Sequence, residues 1–332
     1  MGIKNLNRYL HEKCSKKSIS KINMKKLSGK TLVIDTSIYL YQFLSEGSLL
    51  ENMYLFISIM QLYNITPIFI FDGKPPPEKR ELLKQRYLDK REAYSKYLKL
   101  QSELNNMQEI NVDRSKILSE MEFLKRQSIR VHEEDIIMVK RLIDAYGISY
   151  YDAPGEADDL CAYLVHTGRA WGCISDDMDM FLYKCPYVIR NLSLMNHTVL
   201  LYDTQSILKD LDMSEKVFCE IMMLSGTDYN VNTATSLAET LKWYNEYNKY
   251  KSHNLTTGNK SQEFYIWLLK NTKYITDFNE LMRVYRLFQG TRFTEYDKMN
   301  FMIKTPISSN LKEIQTILQN EGFIFTQEDL VH

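Results

Sequence analysis

The chain has 332 residues, 44% hydrophobic and 25% charged, so it can bury a sizeable core and is not a disordered segment. Its 42 basic and 42 acidic residues balance, which argues against indiscriminate coating of nucleic acid through net charge. No run of about eighteen apolar residues occurs, and the basic N-terminus leads into no apolar core; neither a membrane span nor a secretory leader is expected, and a reducing intracellular compartment is.

Residues 1–30 carry Lys4, Arg8, Lys13, Lys16, Lys17, Lys21, Lys25, Lys26 and Lys30 against Glu12 alone, which makes that end positive. Thr31-Leu-Val-Ile-Asp35 is a short apolar run ending in an acid. Thr66-Pro-Ile-Phe-Ile-Phe-Asp72 repeats the design after a helix-like stretch of about 25 residues, which reads as β-α-β. From 74 to about 130 the chain begins with Pro75-Pro76-Pro77 and continues as long charged helices with no strand candidate, an inserted helical element. Lys79, Arg80, Lys84, Arg86, Lys90 and Arg91 make its first part basic. A helix over Glu134–Tyr146, stopped by Gly147, precedes a strand at Ile148–Tyr151. Pro154-Gly155 opens a helix to about Val165, and strands follow at Trp171–Ser175, Tyr187–Arg190 and Thr198–Tyr202. This alternation predicts an α/β fold, a mostly parallel sheet with helices on both faces. Beyond Leu224 the pattern is helical and polar. The division expected is a core over 1–225, with the insert at about 74–130, and a helical region over 226–332.

Five cysteines without a C-x-x-C pair and six histidines without H-E-x-x-H spacing indicate neither disulfides nor zinc. A metal would therefore sit on carboxylates. In an open parallel sheet, ligands gather beyond the carboxyl ends of the strands. Asp35 and Asp72 stand at such ends; Glu156 and Asp158 open the helix after one strand; Asp177 and Asp179 follow another; Asp228 follows the apolar helix Val217–Leu224. Seven acids on one rim repel one another unless cations sit among them. Oxygen-only ligands favour Mg²⁺ or Mn²⁺, and this number suits two ions, an arrangement able to hydrolyse a phosphodiester. Taken alone, Asp35 before Thr36-Ser37 reads equally well as a helix N-cap.

Six blocks carry a resemblance: Met1-Gly-Ile-Lys-Asn-Leu6, Val33-Ile-Asp35, Phe71-Asp-Gly-Lys-Pro-Pro76, Ala153-Pro-Gly-Glu-Ala-Asp158, Ser175-Asp-Asp-Met-Asp179 and Leu224-Ser-Gly-Thr-Asp-Tyr229. In order and spacing, the chain resembles the flap endonuclease and excision-repair family of structure-specific 5′ nucleases over residues 1–230. Asn310–Gln315 through Gly322–Phe325 is similar to that family's closing helix. The resemblance implies a PIN-like α/β core with a helical arch, two Mg²⁺ ions replaceable by Mn²⁺, and incision of DNA at 5′ flaps, nicks or ends in replication, recombination or repair. It implies that Asp35, Asp72, Glu156, Asp158, Asp177, Asp179 and Asp228 hold metal. It further implies that Lys79 and Arg86 contact the scissile phosphate, that Tyr41 stacks near the reacting nucleotide, and that Gly2 lies close to the site. Asp158 stands where many members have Glu, one methylene longer.

Two departures stand out. The family's glycine turn after Asp-Tyr is replaced by Asn230–Leu237, so a weaker duplex grip and little need for K⁺ are expected, although amides and hydroxyls near Thr233–Ser236 could receive a phosphate. No sliding-clamp peptide is present near the C-terminus, since Glu321-Gly322 occupies its aromatic positions; a monomer is expected. The richness in Lys, Asn, Ile and Tyr suits an AT-rich genome, and the compact form without a clamp peptide suits a large DNA virus or a parasite, with the nucleus or the site of viral DNA replication as the expected location. The rival readings are a mainly 5′→3′ exonuclease of the same superfamily, which Asp158 favours, a nuclease acting on RNA, and a catalytically silent scaffold.

Overall fold

In the computed structural model of the chain, residues 2–106, 112–229, 235–256, 263–290, 292–299, 301–303 and 309–324 are described. The two apolar runs that end in acids lie side by side as parallel strands, β2 (Thr31–Asp35) and β3 (Thr66–Phe71), numbered after an edge strand β1 (Ile19–Asn23). β4 (Ser149–Asp152), β5 (Gly172–Ile174), β6 (Tyr187–Ser193) and β7 (Thr198–Asp203) complete a sheet of order β1-β7-β6-β5-β2-β3-β4. From β6 to β4 every pairing is parallel; β7 runs antiparallel to both β6 and β1. The sheet is thus mixed and mostly parallel, as the alternation predicted, but β1 is an addition the sequence pattern did not show.

Successive residues of a strand point to opposite faces, and the core divides accordingly. Val33, Ile68, Ile70 and Cys173 face one cluster; Leu32, Ile34, Phe69, Phe71 and Ile174 face the other. The first face is covered by α1 (Leu6–Lys13), which precedes β1, and by later helices described below. The second face is covered by α2 (Thr36–Glu46) and α3 (Leu49–Leu62), two helices where one stretch was expected, separated because Gly47 takes a left-handed φ of 74°.

After β3 the insert forms α4 (Arg80–Asn106) and α5 (Val112–Gln127), which lie against each other. Between them Ala93, Met121 and Leu124 are buried, whereas Tyr87, Tyr94, Leu98, Leu118 and Phe123 remain exposed. The insert therefore projects from the core. α6 (Glu133–Ala145) follows, its start fixed by Asp135 accepting from the His132 amide at 2.7 Å and its end by Gly147 at φ 67°. α7 (Ala157–His166), α8 (Thr204–Asp210), α9 (Glu215–Leu224), α10 (Leu237–Thr256), α11 (Phe264–Asn271), α12 (Phe278–Leu287) and α13 (Phe293–Tyr296) all contribute to the first face. The closing helix is present as α14 (Leu311–Asn320) and crosses to the second face, where Ile314, Ile317 and Leu318 are buried and Arg141 of α6 pairs with Glu313 at 2.5 Å.

Candidate active site

Parallel strands place their carboxyl ends on one rim, and that rim gathers the acids. The ends of β3 and β4 are stitched beyond the strands by Ala153 N donating to Phe71 O at 2.9 Å and Gly73 N donating to Gly155 O at 2.7 Å. Gly73 is obligatory there, since a Cβ would lie 1.8 Å from the Ala153 carbonyl oxygen. Asp72 thereby meets the start of α7, and its Oδ1 accepts from Ala157 N at 2.8 Å. Asp35 makes no capping bond to α2, which removes the N-cap alternative for its side chain. Its Oδ2 accepts instead from Ser175 Oγ at 3.0 Å, and that oxygen accepts from Asp177 N at 3.1 Å. Asp177 Oδ1 accepts from Asp179 N at 3.0 Å, fixing the short turn that carries both acids. Asp228 arrives from the loop after α9.

Two cations reach into this rim. Lys79 Nζ lies 2.6 Å from Glu156 Oε1, and Arg86 Nη2 lies 2.6 Å from Asp228 Oδ2. Arg86 lies on α4, whereas Lys79 occupies a 3-10 turn (Pro77–Lys79) just before it and is only 8% exposed. Burial alone would lower the Lys79 pKa, but Glu156, Asp158 and Asp179 more than offset it, and the ammonium stays charged. Lys79 also sits 4.6 Å above the Tyr229 ring, whose hydroxyl donates to Glu156 Oε2.

Burial first, then neighbouring carboxylates, drives the acids the other way. Asp35 is pushed up to about 8 by desolvation with Asp72 and Asp177 beside it. Asp158, Asp177 and Asp179 are likewise raised, chiefly by burial; Asp35 and Asp177 add to the effect on Asp158, and Asp177 and Asp228 to that on Asp179. Glu156 also acts on Asp158 and Asp179, so a chain of pairwise interactions links all seven acids. Asp158 Oδ1 and Asp179 Oδ1 are buried without a hydrogen-bond partner among the described residues. An all-oxygen donor set with orphaned carboxylate oxygens fits a hard divalent cation. Among the described residues no three acidic, histidine or cysteine side chains close on a single point as a direct-ligand cage.

The other expected positions fall around this rim. Gly2, at φ 74°, leaves no room for a side chain, since a Cβ would lie 2.5 Å from Asp177 Oδ1 and 2.7 Å from Asp179 Oδ1. Tyr41 on α2 is 43% exposed with Lys90 of α4 4.2 Å above its ring, a surface ring on the path between insert and core. Asp159 turns away: its Oδ2 accepts from Tyr296 at 3.1 Å. Ser175 and Tyr229 were not singled out from sequence, although both lie inside quoted blocks; their roles rest on contacts across the fold. Residues 230–234 of the altered turn lie outside the described residues, while Ser236 Oγ accepts from Glu239 N at 3.3 Å in the first turn of α10.

A model of the XPG N-terminal domain matches residues 1–93, and one of the XPG I-region matches residues 147–228. The chain belongs to the XPG and flap endonuclease family of structure-specific 5′ nucleases. The family's N-terminal domain holds Gly2, Asp35, Tyr41, Asp72, Lys79 and Arg86, and its I-region holds the other five site positions. Flap endonuclease 1 of Methanococcus aeolicus is 28% identical over 308 residues, 88% of this chain and 85% of that protein. Alignments with yeast flap endonucleases span 61% and 63% of those proteins' length. Among solved structures, the catalytic core of Rad2 in complex with DNA substrate has the same fold, with a TM-score of 0.65 at 23% identity over 97% of this chain and 95% of that one. GEN1 in complex with product DNA and Mg²⁺ has a TM-score of 0.54 at 17% identity, covering 96% of this chain and 73% of that one.

Proposed function

We propose that this family member is a Mg²⁺-dependent nuclease that hydrolyses DNA at 5′ flaps and other junctions of single and double strand. The observation that carries the reading is the convergence of seven carboxylates with Lys79 and Arg86 on one rim, in a chain whose family relatives are flap endonucleases. Asp35, Asp72, Glu156, Asp158, Asp177, Asp179 and Asp228 would hold two ions, with Mn²⁺ an acceptable substitute. Bound there, such ions would supply the Lewis acidity that hydrolysis of a phosphodiester needs. The chain's own share is positioning. Lys79 and Arg86 offer charged donors that bind a phosphate oxygen as readily as a carboxylate, which supports a scissile phosphate seated between the base of α4 and the acids. The exposed ring of Tyr41 offers a face on which a base can stack. Ser175 fixes Asp35, and Tyr229 fixes Glu156 and supports Lys79.

A double-flap DNA with a 5′ label tests the reading. In Mg²⁺ the expected product is one labelled oligonucleotide, cut at or next to the junction. A ladder of mononucleotides, with recessed or nicked 5′ ends preferred over flaps, would instead identify a 5′→3′ exonuclease built on the same site. No cleavage of any of these DNAs would leave the silent scaffold.

A further inference from the structure

Arg190 of β6 belongs to none of the sequence blocks, yet it is buried to 8% exposure close behind the site. A guanidinium in such a place is costly unless its donors are matched. It lacks a tight carboxylate partner, since Asp176 Oδ1 is 3.8 Å from its Nε. Its short bonds go elsewhere. Nη2 donates to the backbone carbonyl of Asp176 at 2.7 Å, and Nη1 donates to Asn7 Oδ1 of α1 at 3.0 Å. Asp176 Oδ1 in turn accepts from the amide of Asn191, the residue after Arg190, at 2.8 Å. Tyr202 of β7 lies beneath the guanidinium at 5.6 Å, donates its hydroxyl to the same Asn7 oxygen at 2.7 Å, and meets His11 Nε2, one turn further along α1, at 3.1 Å.

Both arms of this network end on the same two carboxylates. One arm holds the peptide immediately before Asp177. The other holds α1, and the segment leading into α1 brings Gly2 against Asp177 Oδ1 and Asp179 Oδ1. We propose that Arg190 is a positioning residue that, through Asp176 and Asn7, locks the Asp177–Asp179 turn and the N-terminal segment together as one preformed wall of the metal site. The proposal rests on the metal-site reading above and adds what sets the geometry of that wall. A planar fork suits this task because it reaches two acceptors on two different elements at once; a lysine offers a single point charge and cannot span both.

The test compares Arg190→Gln, Arg190→Lys and Asn7→Leu with the wild type. Mn²⁺ binding is measured by electron paramagnetic resonance without DNA, and single-turnover cleavage is measured against Mg²⁺ concentration at saturating DNA. Groups that orient metal ligands typically change affinity by about 10- to 100-fold when removed. R190Q and R190K should therefore weaken Mn²⁺ binding and raise the half-saturating Mg²⁺ by about tenfold or more, while DNA affinity in Ca²⁺ stays within a few-fold. N7L, altered from the other end on a half-buried position, should shift the same readouts in the same direction by less. Amide exchange in the metal-free protein should quicken together over residues 2–14 and 176–180 in all three variants. Unchanged metal dependence with a lowered melting temperature would reduce Arg190 to a structural role, and loss of DNA affinity alone would make it a substrate contact; either overturns the proposal. Exchange that quickens over 176–180 but not over 2–14 in R190Q also overturns it. If the wild type neither binds Mn²⁺ nor cuts DNA, the functional reading fails, and the exchange measurement still decides whether the coupling exists.

Discussion

At the residue scale, Lys79 shows how the charges of the site balance. It pairs with Glu156 while Asp158 and Asp179 hold its proton in place, so it is an internal counter-ion of the acids, and on the proposed function a hydrogen-bond donor to the phosphate as well. Removing a cation from a buried pair leaves an uncompensated charge. Lys79→Met should lower the melting temperature of metal-free protein by several degrees, and Mg²⁺ should recover most of the loss. Its single-turnover rate should fall by about 10²- to 10³-fold, the range typical of one lost donor at developing charge; Arg86→Ala should lose rate with less effect on stability because Arg86 is more exposed. A rate within a few-fold of wild type in both variants would reduce the two residues to ion-pair partners of Glu156 and Asp228. The double substitution Asp177→Ala with Asp179→Ala should abolish cleavage and leave DNA binding within a few-fold, measured by anisotropy in Ca²⁺. Normal cleavage by that variant in Mg²⁺ would refute the assignment of the acids.

At the element scale, α9 delivers Asp228 through the short loop at Ser225–Thr227, and it carries a buried acid of its own. Glu220 is 5% exposed, and burial pushes it up to about 7, with Lys216 opposing and Glu263 adding. Cys219 beside it on α9, and the hydroxyls of Tyr247, Tyr265 and Tyr285 from α10, α11 and α12, also feel it. Because its folded pKa lies above the unfolded one, the folded state binds more protons between about pH 4.5 and 7, and stability falls as pH rises through that window. Glu220→Gln removes the titration. Its melting temperature should stay flatter from pH 5 to about 7.5 than that of the wild type, by the equivalent of about 2 kcal/mol, and parallel profiles would show that Glu220 titrates normally. Elements also mark the boundary of what sequence reveals. β2 and β3 are plain in their uninterrupted apolar runs, and the acids at their ends follow directly. β1, Ile-Ser-Lys-Ile-Asn, has two apolar residues and becomes a strand only through pairing with β7, nearly two hundred residues away. Ser175, Tyr229 and Arg190 were hidden for a related reason: each acts through a partner that the chain reaches only after folding.

At the scale of the whole molecule, the zero net charge hides a local contrast: Arg86 near the start of α4 reaches the carboxylate rim, and Lys90 lies one turn beyond it over Tyr41. α4 is 27 residues long, roughly 40 Å at 1.5 Å per residue, and stands on the base that carries Lys79 and Arg86. Along the pair α4 and α5, Tyr87, Tyr94 and Phe123 are exposed at 52%, 51% and 59%, apolar faces of the kind on which an unpaired base can stack. Arg130 over Tyr87 and Lys90 over Tyr41 add cations beside such faces. A single strand led along these rings would arrive at the acids with its phosphates near Lys79. Steering of this kind weakens with salt, so flap binding should fall steeply as ionic strength rises. If the strand passes beneath the helical pair, a flap whose 5′ end is capped by a bulky protein before the enzyme is added should be cut far more slowly than the same flap capped afterwards. Undiminished cutting at the junction of the pre-capped flap would show that the strand lies along an open face of α4 and α5, and Tyr87→Ala with Tyr94→Ala would then still be expected to weaken flap binding while leaving binding to blunt duplex unchanged.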